Sequence, residues 1–198
     1  MMKTLVFGGT FNPPHIGHTA MCRAAAEAIG ADRVIIMPTY LPPHKAAGME
    51  LESGEHRAAM CRRAFDGIAG VTVSDLELGR GGKSYTFDTL SSLKSLYPDD
   101  RLYFLCGADM FLSLHTWYRA EELPRLATFC AVPRDGEAEC LRRYAAEHPF
   151  LSGRSLVLDV PQIDASSTAV RAELAACGAS NMLADSVNEY IAEHGLYR

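Results

Sequence analysis

The sequence predicts an α/β fold, with a Rossmann-like, doubly wound and mostly parallel sheet and helices on both of its faces. Short apolar runs alternate with segments of helical periodicity along the chain, which is the pattern of successive βαβ units. Loops rich in glycine and proline follow the first two apolar runs, where a ligand site of such a sheet would lie. The 198 residues have the size of one domain, so we expect a single domain over residues 1–198.

The N-terminal part of the chain predicts one complete βαβ unit. Residues 4–7 form an apolar run that stops at a pair of glycines, as a short buried strand would. Residues 18–29 carry apolar side chains at helical spacing, and the glycine that follows supplies a helix stop. Residues 33–37 predict a second buried strand that ends before a proline. The crossover between the two strands should be right-handed.

The same alternation continues to the end of the chain. Four further apolar runs predict strands at residues 71–73, 102–106, 129–132 and 156–158. Periodic segments predict helices after Ser53 to about residue 65, along one face from Phe87 to Tyr97, after Asp109, and from about Ser167 and Ser186. No internal repeat, low-complexity tract or linker interrupts this pattern.

Composition and charge exclude several classes of protein. Hydrophobic residues make up 48% of the chain, but no apolar run approaches the roughly 18–20 residues of a membrane span. The N-terminus lacks the features of a signal peptide, and the six cysteines are scattered as reduced core thiols would be. The net charge of −5 argues against nucleic acid as a partner. We therefore expect a cytoplasmic protein that binds neither nucleic acid nor membranes.

The loop GGTFNPPHIGH joins the first predicted strand to the first predicted helix. Gly8 and Gly9 let the backbone turn sharply and approach a ligand, and Thr10 adds a hydroxyl. The helix that follows favours phosphate at its N-terminus through free N–H groups and the helix dipole. His15 and His18 are three residues apart, so both imidazoles can face one space and stabilise charge during phosphoryl transfer. An ordinary βα loop with a capping histidine is the alternative, and the full string favours the phosphate site.

A second segment, SSTAVR, carries a similar signal late in the chain. Ser166 or Ser167 can cap a helix, and Arg171 lies close enough to its start to reach an anion. Plain capping with a surface arginine is the alternative explanation. The chain has neither G-x-G-x-x-G after its first strand nor G-x-x-x-x-G-K-[ST], which argues against a dehydrogenase and a P-loop kinase.

The HIGH tetrapeptide at residues 15–18, followed late in the chain by SSTAVR, resembles the HIGH-type nucleotidyltransferase superfamily. Class I aminoacyl-tRNA synthetases share the first signature, but this chain lacks KMSKS, is short and is acidic. It is most similar to bacterial nicotinate-nucleotide adenylyltransferases. That resemblance rests on six motifs in order: GGTFNPPHIGH, PPHK at 42–45, SYTFDTL at 84–90, GAD at 107–109, TWY at 116–118, and SSTAVR.

The resemblance implies a single nucleotidyltransferase domain that transfers AMP from ATP to nicotinate mononucleotide, with Mg²⁺ arriving on the ATP and no metal ligands of its own. It implies that ATP is bound by Gly8, Gly9, Thr10, Phe11, His15, His18, Gly107, Asp109, Arg134, Ser166, Ser167, Thr168 and Arg171. His15, His18 and Thr10 would be catalytic. It implies that nicotinate mononucleotide is bound by Asn12, His44, Lys45, Tyr85, Thr86, Asp109, Trp117 and Tyr118. The oligomeric state stays open.

Trp117 would stack on the pyridine ring of the acceptor, with backbone near Thr86 and Tyr118 receiving the carboxylate. An indole face favours a flat, cationic ring, although a lone tryptophan is more often a half-buried core residue. Asn12 stands where many relatives have Asp, and Pro-Arg-Asp-Gly at 133–136 replaces the more usual Pro-Arg-Pro-Gly.

The nearest alternatives keep the chemistry and change the acceptor to nicotinamide mononucleotide, phosphopantetheine or a cytidylyltransferase substrate. A nucleotide-binding regulator without turnover is the alternative of a different class. The proline- and glycine-containing loop at 38–52 is compatible with a lid or with a static loop.

Overall fold

The computed structural model describes residues 1–43, 51–133, 136–160, 163 and 165–198. Six parallel strands form one sheet in the order β3-β2-β1-β4-β5-β6. The strands are β1 (Lys3–Gly9), β2 (Arg33–Pro38), β3 (Val71–Val73), β4 (Arg101–Gly107), β5 (Thr128–Val132) and β6 (Ser155–Val157). The strand order reverses between β1 and β4, so a ligand is expected beyond the carboxyl ends of these two strands.

Helices connect the strands and cover the sheet. They are α1 (Ile16–Ile29), α2 (Gly54–Ala64), α3 (Leu76–Arg80), α4 (Thr86–Leu96), α5 (Ala108–Leu112), α6 (Leu123–Leu126), α7 (Ala138–Glu147), α8 (Ser167–Cys177) and α9 (Asp185–His194). Short 3₁₀ turns lie at Leu114–Thr116, Ala120–Glu122 and Pro149–Leu151. Local sequence fixes several boundaries: Gly30 ends α1 in the left-handed conformation, and the Ser53 hydroxyl accepts the amide of His56 to begin α2.

Alternation along the strands sends side chains into cores on both faces of the sheet. In β1, Val6 belongs to the core that α4, α5 and α7 cover, whereas Leu5 and Phe7 belong to the core under α1 and α2. A third cluster joins α2 to α8 and α9 around Met60 and Val187. Helices on both faces confirm the predicted doubly wound arrangement.

The predicted strands agree with the observed ones to within two residues at each end. One helix boundary was wrong in a way that matters: α1 begins at Ile16 with His15 as its N-cap, not at residue 18. His18 therefore lies inside the first turn. The sequence did not predict α3, and the helix expected after Asp109 is only the five residues of α5, which already include Asp109.

Four of the six cysteines behave as expected of core thiols, whereas Cys140 is half-buried and Cys177 is exposed. All six are free, and four of them are buried: Cys22, Cys61, Cys106 and Cys130. In the part of the chain that the structure describes, no helix is long and apolar enough to span a membrane.

Candidate active site

A cavity of about 470 Å³ opens at the carboxyl ends of β1 and β4, where the strand order reverses. It brings together many of the residues that the sequence predicted for the site. These are Gly8, Gly9, Thr10, His15, His18, Tyr85, Thr86, Gly107, Asp109, Trp117, Tyr118, Ser166 and Ser167. Segments far apart in the chain therefore converge on one space large enough for a nucleotide-sized ligand.

The β1–α1 loop needs its glycines because other groups occupy the space of a side chain. A Cβ on Gly9 would lie 2.9 Å from the ring of Phe11. A Cβ on Gly17 would lie 3.1 Å from Nδ1 of His15 and 3.1 Å from the carbonyl oxygen of Ile163. The backbone of this loop is thus tightly packed against its own side chains and against the segment before α8.

Phe11, predicted to bind ATP, does not line the cavity. It is 2% exposed and packs edge-on against Phe7, Phe65 and the ring of His18, with centroids 5.1 Å apart in the last pair. Its φ of +48° is in the left-handed region, and burial of the ring compensates for the cost of that backbone conformation. The buried ring of Phe11 thus anchors the β1–α1 loop to the core.

His15 and His18 lie side by side at the N-terminus of α1. Their ring centroids are 3.7 Å apart and their planes are tilted by 30°. The backbone amide of His15 donates to Nδ1 of His18 over 3.1 Å, which leaves the ring proton of His18 on Nε2. The rings are therefore held by the helix start itself.

Burial lowers the pKa of His15 from its ordinary value to about 4, so this imidazole is neutral near pH 7. Its Nδ1 is buried and has no hydrogen-bond partner among the described residues. An unpaired buried nitrogen costs free energy.

Arg57 on α2 holds the β1–α1 loop from outside the cavity. It is 1% exposed, and its guanidinium donates to the carbonyl oxygens of Glu52 at 2.9 Å, Thr10 at 2.8 Å and Tyr40 at 3.4 Å. One side chain thus connects the β1–α1 loop, the segment after β2 and the start of α2. Sequence reasoning missed it, because an arginine on a helix normally signals an exposed face.

The N-terminal half of α8 holds the same loop from the other side. The Ser167 hydroxyl donates to the carbonyl of Pro13 over 3.0 Å, and Arg171 donates to the carbonyl of Asn12 over 2.8 Å. The Ser166 hydroxyl caps α8 by accepting the amide of Ala169, as predicted. Arg171 and Thr168 do not line the cavity. The Arg171 guanidinium donates to the Thr168 hydroxyl over 3.4 Å.

Asn12, predicted to contact the acceptor, lies instead at a junction of protein segments. It is 2% exposed, and its side-chain oxygen accepts from the amide of Glu52 at 3.2 Å and from the hydroxyl of Tyr197 at 2.8 Å. Burial raises the pKa of the Tyr197 phenol, which stays protonated and able to donate. The C-terminal segment therefore fixes the loop through a residue that the sequence did not single out.

Aromatic side chains form a further part of the cavity lining, called the aromatic end below. Trp117 is 8% exposed and packs edge-on against Phe104 with centroids 6.0 Å apart, so it belongs to the core and lines the cavity at once. Tyr118 is 50% exposed and lies 4.8 Å from the ring of Tyr85. Thr86 begins α4 here, so free backbone N–H groups face this end. This position is compatible with both roles considered for Trp117, a core residue and a surface on which an aromatic ring stacks.

Two further predicted residues line the cavity: Gly107 closes β4, and Asp109 is exposed in the first turn of α5. Sequence reasoning missed three polar lining residues, Thr39, Ser84 and Glu77, of which Glu77 is 5% exposed. Periodicity gives no signal for a buried carboxyl on a five-residue helix. Three predicted site residues, His44, Lys45 and Arg134, lie outside the described residues, as do residues 44–50 of the predicted loop at 38–52.

A parallel sheet with this strand order and a histidine-bearing helix N-terminus at its switch point defines an α/β nucleotide-binding protein. The comparisons with known proteins are more specific. The Cytidylyltransferase-like family model matches residues 6–173. The probable nicotinate-nucleotide adenylyltransferase of Symbiobacterium thermophilum is 41% identical over 100% of this chain and 96% of its own. The nicotinate-nucleotide adenylyltransferase of Bacillus subtilis is 37% identical over 100% of this chain and 99% of its own.

Two solved structures share the fold. They are of the nicotinic acid mononucleotide adenylyltransferase of Plasmodium falciparum, one complexed with APC and the other with NaAD. Their TM-scores are 0.78 and 0.79, over 100% of this chain and 98% of theirs, at 18% sequence identity. The chain belongs to the nicotinate-nucleotide adenylyltransferase family, within the cytidylyltransferase-like group.

Proposed function

We propose that this protein transfers the adenylyl group of ATP to the phosphate of nicotinate mononucleotide, with nicotinate adenine dinucleotide and pyrophosphate as products. The reaction belongs to NAD biosynthesis. The observation that carries the proposal is that one cavity is lined both by the His15–His18 pair and by the Trp117–Tyr118 pair. Such a cavity can hold a triphosphate and a flat aromatic ring at the same time, and family membership supports both assignments.

The chemistry at the histidine end is electrostatic. The phosphate of the acceptor attacks the α-phosphorus of ATP in line, and pyrophosphate leaves. His18 donates a hydrogen bond from Nε2 to the α-phosphate, and neutral His15 and Thr10 contact the outer phosphates. Burial raises the pKa of the Cys106 thiol in the cavity wall, so it stays protonated and is no nucleophile. Direct transfer without a covalent enzyme intermediate is therefore proposed.

The N-termini of α1 and α8 offer two sets of backbone N–H groups to the triphosphate. We assign the outer phosphates to these two helix starts and to Ser166, Ser167, Thr168 and Arg171. Arg171 already donates to a backbone carbonyl of the β1–α1 loop. A second nitrogen of its guanidinium would serve the phosphate, so that ligand and loop are held by one side chain. Arg134 is assigned to the ATP side on the resemblance alone.

The aromatic end is assigned to the acceptor. Its pyridine ring would stack on Trp117, and its carboxylate would accept from backbone N–H groups at Thr86 and Tyr118. Asp109, which also lines the cavity, would bind a ribose. His44 and Lys45 are proposed to meet the acceptor's phosphate.

Mg²⁺ is proposed to arrive with ATP. In the part of the chain that is described, no group of three or more histidine, cysteine or acidic side chains is placed to hold a metal. This fits a hard cation that takes phosphate oxygens and water as ligands. When bound, the ion would neutralise charge on the pyrophosphate that leaves. A cytoplasmic location, and independence from nucleic acid and membranes, belong to the same proposal.

The test compares acceptors under identical conditions. Pyrophosphate release would be measured with ATP, Mg²⁺ and one of nicotinate mononucleotide, nicotinamide mononucleotide or phosphopantetheine, for the native chain and for His18→Ala. His194→Ala serves as the matched control, because His194 ends α9 and does not line the cavity. We expect turnover to be fastest with the nicotinate acceptor, lost in His18→Ala and kept in His194→Ala.

Faster turnover with another acceptor would retain the mechanism and overturn the substrate assignment. Binding of ATP without turnover of any acceptor would favour a nucleotide-binding regulator instead.

A further inference from the structure

A buried carboxyl lies in the cavity wall and has no part in the mechanism above. Glu77, the second residue of α3, lines the cavity and is 5% exposed. Its Oε1 accepts a hydrogen bond from the Thr89 hydroxyl over 2.6 Å. Its Oε2 is buried, and no group among the described residues reaches it with hydrogen-bond geometry, although Thr39 and Ser84 approach the carboxyl. An acid in this position is costly in its charged form and calls for a functional explanation.

Glu77 is linked to the start of α4, where the acceptor's carboxylate is proposed to bind. The hydroxyl of Thr89 lies 2.6 Å from the Glu77 carboxyl and 3.3 Å from the carbonyl oxygen of Tyr85, the N-cap of α4. Tyr85 and Thr86 line the cavity beside Glu77. One hydroxyl therefore joins the carboxyl to the first turn of α4, whose backbone N–H groups would receive an anionic acceptor.

Two cations act on Glu77 from neighbouring elements. Arg80, on α3 itself, donates to the Thr89 hydroxyl over 3.0 Å, and Arg57 of α2 acts from a longer range. Burial nevertheless raises the pKa of Glu77 above its ordinary value, while the hydrogen bond from Thr89, the nearby Ser84 hydroxyl and the charge of Arg80 lower it in part. The carboxyl thus stays protonated to a higher pH than an exposed glutamate.

We propose that Glu77 is a specificity-determining residue of the acceptor pocket, and the proposal rests on the function assigned above. A neutral carboxyl at this place tolerates the carboxylate of nicotinate mononucleotide next to it. An ionised carboxyl repels that carboxylate through a medium of low dielectric constant and leaves the uncharged amide of nicotinamide mononucleotide unaffected. Ionisation of Glu77 therefore weakens the preference for the acid over the amide.

The measured quantity is the ratio of kcat/KM for nicotinate mononucleotide to kcat/KM for nicotinamide mononucleotide. If turnover of nicotinamide mononucleotide is too slow to measure, its inhibition constant against nicotinate mononucleotide replaces its kcat/KM. The ratio is followed from about pH 5 to about pH 9, a range in which the acceptor's own carboxylate stays largely ionised. Ionisation of ATP, of the acceptor phosphates and of the histidines affects kcat/KM of both acceptors alike, so these effects largely cancel in the ratio.

We expect the ratio of the native chain to fall by about tenfold or more as pH rises through the ionisation of Glu77. In Glu77→Gln, which keeps the shape and carries no charge, the ratio should be independent of pH. Arg80→Met removes a cation that favours the ionised form, so the fall should move to higher pH, whereas Arg80→Lys should behave as the native chain. Arg80 is exposed, so both variants should fold.

A parallel change of the ratio in the native chain and in Glu77→Gln would overturn the proposal. A fall of the ratio at the same pH in Arg80→Met as in the native chain would also overturn the proposal. This second result is sufficient if Glu77→Gln does not fold. An acid preference in the native chain that does not depend on pH contradicts this inference alone. Absence of any acid preference contradicts the proposed function as well.

Discussion

Replacement of Arg57 by lysine tests whether one buried guanidinium holds the β1–α1 loop in place. Arg57 is among the largest fully buried side chains, and its charge is compensated by three backbone carbonyls. A lysine keeps the charge and most of the stem, but its single nitrogen cannot reach carbonyls on three separate segments. Hydrogen bonds to charged groups contribute about 1.5–3 kcal/mol each, and the contact at 3.4 Å contributes little. Loss of one strong contact should therefore cost about 1.5–3 kcal/mol of the free energy of unfolding, and loss of both about 3–6 kcal/mol.

The assay is urea unfolding of Arg57→Lys, with Arg62→Lys as the matched control. Arg62 lies on the same helix, but it is half-exposed and pairs with Asp75 on the surface, so its replacement should cost less than about 1 kcal/mol. Because Arg57 also positions the carbonyl of Thr10, the Arg57 variant should show a higher KM for ATP. Equal unfolding midpoints and slopes for the two variants would refute the reasoning.

Three further predictions concern the loop, the aromatic end and the buried histidine. Gly9→Ala should lower the free energy of unfolding by about 1–3 kcal/mol and reduce turnover, because the new Cβ meets the buried ring of Phe11. Gly79→Ala is the control: the space around Gly79 is open, so this variant should keep its stability and its turnover. Trp117→Phe should raise KM for the acceptor much more than KM for ATP, and equal changes in both would count against the ring platform. His15 is neutral when folded, with its pKa lowered to about 4, so the unfolded chain takes up a proton first as pH falls. Native stability should decline from about pH 6.5 towards pH 4, and less so in His15→Asn, measured by urea unfolding at several pH values.

The sequence was sufficient for the sheet and for the backbone of the site. Apolar runs bounded by glycine and proline are a local signal, and for this reason the ends of β2 and β5 were predicted to within one residue. The HIGH loop and the start of α8 were found because their glycines, histidines and serines are unusual at such positions. That Asn12 and Phe11 turn away from the cavity has no local signal. Their places are set by partners far along the chain, such as the Tyr197 hydroxyl.

Buried polar residues were missed for the same physical reason. In the sequence, Arg57 and Glu77 look like ordinary solvent-exposed charged residues, and only the packing of other segments around them removes them from water. The start of α1 was placed two residues late, because the histidine that caps it does not match the usual cap residues.

The most direct test of the central claim is identification of the product. The protein would be incubated with ATP, Mg²⁺ and either nicotinate mononucleotide or, in a parallel reaction, nicotinamide mononucleotide, and the nucleotides would be separated and identified by mass. The account predicts nicotinate adenine dinucleotide and pyrophosphate in equal amounts, with no product from a His18→Ala variant. Release of ADP or AMP without a dinucleotide, or a dinucleotide from the nicotinamide acceptor alone, would contradict it.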